Sequence, residues 1–277
     1  MIKIIRTVFL LGLFSFSIHA VGQQTNSVLS NGNWIKFSVD TTGVFKIDRA
    51  LLQQIGITTT GLDPRKIHVY GNGGNLLPQL NSDFRYNDLQ ENAIYIEGEG
   101  DGSFDATDFI LFYAKGPHDW EVNPGSNTAN HRQNIYSDKA YYFISVDGID
   151  GKRIQNAASI TGTSTLQVTT FDDYIFYEKE NVNLFAAGRK WLGEDFSIEN
   201  QHTFQIPFPN AVANEDINVT VRAVGVSGLT STMQVTVNGQ SLFNLNFNAI
   251  SPGALTLASD QLRSGTLTNS SPNIDVV

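Results

Sequence analysis

The chain has 277 residues, 41% of them hydrophobic and 16% charged, with 18 Lys and Arg against 27 Asp and Glu for a formal net charge of −9. That length suits two domains or one large β domain, and the absence of any extended Lys/Arg cluster excludes a nucleic-acid partner. There is no cysteine, which excludes disulfides, thiolate metal sites, a lipoprotein anchor and a cysteine nucleophile within these residues.

The N-terminus reads as a secretory signal. Lys3 and Arg6 open it, and an apolar run from Thr7 to Ile18 follows, too short for a comfortable membrane span. Cleavage fits after Ala20 or Gly22, and Gly22 is preferred, so residues 1–22 are assigned to the signal peptide. No later segment is apolar over a bilayer's thickness.

Abundant Gly, Phe, Tyr, Thr and Asn favour strands and turns over helices. Asn33–Val39 alternates in strand fashion, Asp40-Thr41-Thr42-Gly43 supplies a turn, and Val44–Ile47 returns, which predicts a hairpin. Asp48 can cap a short helix running to Ile55 and stopped by Gly56. A strand over Lys66–Tyr70 leads into Gly71-Asn72-Gly73-Gly74, which lacks the lysine and the following helix of a phosphate loop and reads as a turn.

Acidic residues crowd between Asp83 and Glu121, and most of the net negative charge lies there. At their centre is Glu97-Gly98-Glu99-Gly100-Asp101-Gly102-Ser103-Phe104-Asp105-Ala106-Thr107-Asp108, between two strand-like runs. With Gly102 as the position-6 glycine of a twelve-residue EF-hand loop, acids fall at positions 1, 3, 5, 9 and 12. Glu97, Glu99, Asp101, Asp105 and Asp108 are therefore the candidate ligands of a structural Ca2+. The competing reading is a solvated acidic turn whose glycines serve only the backbone. Against calcium stand Glu97 at position 1, the short Asp108 at position 12, and the lack of flanking helices.

His118 and His131 bracket an Asn-rich loop and have the chemistry to meet as zinc ligands or a general base, while His68 sits in a strand as a structural residue. No HExxH or GxSxG occurs. Trp120, Trp191 and Tyr177 are candidates for a sugar platform, although such residues are more often core. Strand patterning resumes at Tyr136–Val146, and near 157–164 the composition turns small and polar, marking a domain boundary.

Beyond that boundary, alternating strands are predicted at His202–Ile206, Ile217–Val221 and Met233–Val237, with Asn238-Gly239 as a hairpin turn back to Leu242–Phe247. Asn273–Val277 starts another strand, and a longer parent protein is expected. The fold class is mainly β: two consecutive β-rich, sandwich-like domains, 23–158 and 159–277, with one short helix in the first.

Several phrases occur together in order. They are Gly43–Asp48, Asp63-Pro64-Arg65-Lys66-Ile67-His68-Val69-Tyr70-Gly71-Asn72-Gly73-Gly74, Asp88–Ile94, Gly98–Asp105, Phe109–Pro117 and Tyr141-Tyr142-Phe143. In combination they resemble the N-terminal region of the PorU-type sortases of the Bacteroidetes type IX secretion system, relatives of the gingipain cysteine peptidases. The resemblance covers most of residues 27–155, and the second part is similar in character to the β-rich region that precedes the peptidase domain.

The resemblance implies a non-catalytic part of a cell-surface endopeptidase that removes C-terminal sorting signals from cargo. It implies as partners a downstream peptidase domain, outer-membrane components of the secretion system and cargo proteins. The family's catalytic Cys and His belong to that downstream domain, so no catalytic residue carries over to this chain. The rival expectation is a secreted, calcium-stabilised adhesin or carbohydrate-binding module.

Overall fold

The computed structural model describes residues 26–277 except 124, 127, 187–189 and 270, so the signal-peptide assignment lies outside the described residues. The chain divides into two compact units, one ending at Phe171 and one beginning at Asp172. Both are β structures, in agreement with the predicted class, and among the described residues no helix is long and apolar enough to cross a membrane.

In the first unit, β1 (Trp34–Val39), β3 (Ile67–Tyr70), β4 (Glu91–Asn92) and β9 (Ala140–Val146) form a sheet in the order β1-β9-β3-β4. A second sheet has the order β2-β6-β5, from β2 (Gly43–Asp48), β5 (Ile94–Glu97) and β6 (Phe109–Ala114). Alternation along each strand turns one set of side chains inward. Ile67, Val69, Tyr142 and Ile144 of the first sheet share a core with Ile47, Ile94, Ile96, Ile110 and Phe112 of the second.

The hairpin predicted over residues 33–47 is not formed. β1 pairs with β9 and β2 pairs with β6, both antiparallel, so the turn at Asp40–Thr42 carries the chain from one sheet to the other. Both strands have an apolar face to bury, and burying each against a different sheet encloses the core from two sides. The corner is held because Gly116 donates its N–H to Thr42 Oγ1 at 2.9 Å, and a Cβ at Gly116 would lie 2.5 Å from the Thr41 backbone.

The short helix α1 (Arg49–Gln54) starts where expected, with the Asp48 carboxylate accepting from Leu51 N at 2.9 Å, and ends at Gly56 in the left-handed region at φ +94°. Only Leu52 is buried on it, and Leu51 stays exposed. The glycines at 71 and 74 serve close packing: a Cβ at Gly71 would meet the Tyr142 ring at 2.3 Å, and one at Gly74 the Ala140 Cβ at 2.6 Å. Residues 118–133, expected as a loop, contain a further hairpin, β7 (His118–Asn123) and β8 (Thr128–Gln133).

The second unit contains β10 (Phe204–Pro207), β11 (Glu215–Gly225), β12 (Ser231–Val237), β13 (Gln240–Phe247), β14 (Ser259–Asn269) and β15 (Asn273–Val276). One sheet has the order β10-β15-β12-β13, and β11 pairs with β14. Asn238 and Gly239 take φ of +49° and +79°, so the predicted two-residue turn joins β12 to β13. Val235, Val237, Phe243, Leu245, Phe247, Ile274 and Val276 make the core, and Ile217, Val219 and Leu267 of the β11–β14 pair pack on it.

Asp260 ties this pair together. Its carboxylate accepts from Arg222 Nη2 at 2.7 Å and Nε at 3.0 Å and is bonded to Lys190. The Arg222 guanidinium chiefly, with Lys190, holds the Asp260 carboxyl down at about 2. A depressed carboxyl contributes stability that is full above its ordinary value near 3.8 and lost as pH falls toward 2. Discounted for partial exposure, Asp260→Asn should remove about 1 kcal/mol at neutral pH. Acid denaturation curves check this, because the difference between the two proteins should vanish at the acid end.

Candidate functional site

The acidic stretch is a turn built onto a buried plug. β5 ends at Glu97, Gly98 takes φ +88°, Glu99–Asp101 form one 3-10 turn, and Gly102 at φ +79° closes it. Phe104, 1% exposed, then enters the first unit's core, and its N–H donates to the Leu62 carbonyl at 2.9 Å. β6 begins at Phe109 and pairs back with β5, Glu97 opposite Phe109. The loop's ends are therefore fixed by strand pairing and its middle by an aromatic ring.

Each carboxylate already has a protein partner. Asp108, 7% exposed, accepts from Asp105 N at 2.7 Å and packs on Gly98, where a Cβ would come 2.1 Å from Asp108 Oδ1. Glu99 pairs with Arg153 Nε at 2.7 Å. Asp101 accepts from Ser103 N at 2.9 Å, Asp105 from Ser103 Oγ at 3.2 Å, and Glu97 from the Tyr95 hydroxyl. The Glu97 carboxylate beside it raises the Tyr95 pKa.

The five residues are neighbours along one turn. Among the described residues, no group of three or more His, Asp or Glu is placed to hold a metal ion. Calcium takes six to eight oxygens around one centre, and in this structure each of the five carboxylates already has a hydrogen-bond or ion-pair partner of its own. The Glu99 charge is met by Arg153, 54 residues away in the chain, which also donates to the Pro64 carbonyl at 2.9 Å. The calcium reading is tested by the melting temperature in millimolar calcium, where no change would end it. A rise of several degrees, abolished by Asp101→Ala with Asp105→Ala, would show that the loop rearranges around the ion.

His68 lies in β3, as expected, and is 1% exposed. Nδ1 faces Glu91 Oε1 at 2.8 Å, and Nε2 faces Asp147 Oδ1 at 3.0 Å and the Ile149 carbonyl at 3.3 Å. Glu91 also accepts from Lys152 N at 2.7 Å. Every one of these neighbours of the ring nitrogens is an acceptor, and together they lash residues 147–152 to the edge of the first sheet. Glu91 and Asp147 carry no sequence signal that assigns them to His68, because they come from positions 23 and 79 residues away.

His118 and His131, separated by 13 positions, are brought together by the β7–β8 hairpin, their ring centres 5.4 Å apart. Burial first, and then the His118 charge, lower the His131 pKa to about 4. Trp120 lies edge-on to His131 at 4.9 Å. Of the other aromatic candidates, Trp191 and Tyr177 both belong to the second unit and are partly exposed, and Tyr177 has Phe204 against its ring at 5.0 Å.

The fold defines a mainly β, two-unit protein. No protein-family model matches the chain, and no curated protein matches it. Among solved structures it is similar to the crystal structure of dimeric latent PorU from Porphyromonas gingivalis, with a TM-score of 0.71 and 23% identity. The match covers 90% of this chain and 23% of that chain, so this chain spans under a quarter of the longer protein. At that identity the likeness is one of fold.

Proposed function

We propose that this chain is the non-catalytic N-terminal part of a PorU-type sortase acting in type IX secretion. The observation that carries the reading is the likeness in fold to PorU over 90% of the chain. The ordered phrases from Gly43 to Phe143 support it independently, since they belong to the sequence alone. The chemistry of removing C-terminal sorting signals would belong to a downstream peptidase domain, because these 277 residues contain no cysteine.

On this reading the chain is exported to the outer-membrane surface of a Gram-negative Bacteroidetes bacterium. Its partners are that peptidase domain, outer-membrane components of the secretion system and cargo. The two β units would present or restrain the peptidase domain. Deleting residues 26–277 from the parent gene should leave cargo with its sorting signals uncleaved. Normal cargo processing in the deletion strain, with the truncated protein present at the surface, would sink the proposal.

The alternative, a secreted adhesin or carbohydrate-binding module, draws on one observation. Val44, Tyr95 and Tyr113 share the outer face of the β2-β6-β5 sheet and are 68%, 43% and 54% exposed, and exposed rings are the surface on which a sugar stacks. Binding to a glycan array, lost in Tyr95→Ala with Tyr113→Ala, would favour it.

A further inference from the structure

In an antiparallel ribbon, directly opposed residues project to the same side, as do positions two apart. His118 stands opposite Gln133, and Trp120 stands opposite His131. Both imidazoles, the indole and the carboxamide therefore share one face of the β7–β8 hairpin. It is the less exposed face, since Ala129, His131 and Gln133 are half-buried while Thr128, Asn130 and Arg132 are exposed. The acidic side chains of Asp119 and Glu121 are on the other face, where Asp119 accepts from Asn75 at 3.0 Å and Glu121 pairs with Arg132.

The geometry of this face is compatible with a shared ligand, and its unpartnered polar atoms point to one. The two imidazoles are 5.4 Å apart, centre to centre, with planes 24° from parallel. Two imidazoles sharing one tetrahedral zinc at about 2.0–2.1 Å from each nitrogen have ring centres about 5 Å apart. His118 Nδ1 and Gln133 Oε1 are buried and meet no hydrogen-bonding partner among the described residues. Buried polar atoms in folded proteins are satisfied by protein, water or an ion in the great majority of cases.

We propose that this face binds one Zn2+ ion through His118 and His131, with Gln133 Oε1 as a third, weaker ligand. Imidazole nitrogen selects zinc over the oxygen-seeking calcium and magnesium, so the site is chemically distinct from the acidic loop. The ion would join β7 to β8 at the root of the hairpin. There Asn134 donates from its backbone to the Pro117 carbonyl at 3.1 Å and from Nδ2 to the Gly74 carbonyl. Zinc would thus brace the hairpin where it leaves the first unit.

The test is calorimetric titration of the purified chain with ZnCl2 at neutral pH, alongside the circular dichroism of each variant. One equivalent should bind with a micromolar dissociation constant, and His118→Gln and His131→Gln should each weaken binding by about tenfold or more. A variant in the opposite direction guards against simple loss of fold: Gln133→His supplies a third imidazole and should tighten binding by about tenfold. Absence of zinc binding by the unmodified chain overturns the proposal. So does binding that neither histidine variant weakens, or a folded Gln133→His that binds no more tightly.

Discussion

Replacing Phe104 by Ala is expected to cost the first unit about 3–5 kcal/mol of unfolding free energy, near the top of what a single core truncation costs. The ring is 1% exposed within the core, so its removal leaves a cavity that the fixed strand ends of β5 and β6 cannot collapse to fill. Because Phe104 is also the anchor of the acidic turn, the residues around it should loosen together. Urea denaturation followed by fluorescence gives the free energy, and hydrogen exchange across residues 97–108 tests the coupling. A loss under 1 kcal/mol would mean that the turn is held by its polar contacts and not by the plug.

The second large effect is expected from Gly98→Ala, at about 2–3 kcal/mol. An alanine there must adopt φ +88° and place its Cβ 2.1 Å from Asp108 Oδ1. The Asp108 carboxylate then has to move away from Asp105 N, which leaves a partly buried donor without its acceptor. Gly100→Ala, two residues on, provides the contrast: its Cβ would meet nothing within 4 Å, and the change should stay within about 0.5 kcal/mol of neutral. Parallel thermal melts of the two variants separate a backbone requirement from mere flexibility. Equal effects at the two positions would refute the account given of Gly98.

The same loop shows how far a motif carries. Acids at alternating positions with a glycine at the sixth satisfy a calcium-loop pattern, and Phe104 at the eighth is buried as such a loop requires. The pattern specifies which residue types are present, whereas coordination requires their oxygens to point at one centre. In the structure Arg153 meets Glu99, Tyr95 meets Glu97, the Asp105 amide meets Asp108, and Ser103 meets both Asp101 and Asp105. Tyr95, Ser103 and the Asp105 amide all lie within three positions of the acid they meet, whereas Arg153 is 54 positions from Glu99. Arg153 arrives because residues 152–154 run beside β5, with Ile94 bonded to both Lys152 and Ile154.

Strand patterning shows the same division. Alternation and turn chemistry located β1, β2, β9, β12 and β13, and Asn238-Gly239 specified its own turn. The same local signals mispaired β1 with β2, since an apolar face records that a strand is buried and not which sheet buries it. β14 has weak alternation, and β7 and β8 are polar enough to resemble a loop. These three form because a partner strand is available to satisfy their backbone.

Glu97–Asp108 therefore has two layers of determination. Sequence alone established an acidic, glycine-rich turn between two strands, because glycine tolerance of positive φ and strand alternation are local properties. It also established the absence of a cysteine nucleophile, and the mainly β class. Tertiary structure decided what the carboxylates do, which histidines meet, and which sheet each strand joins. Those depend on contacts between residues tens of positions apart, and no local propensity encodes them.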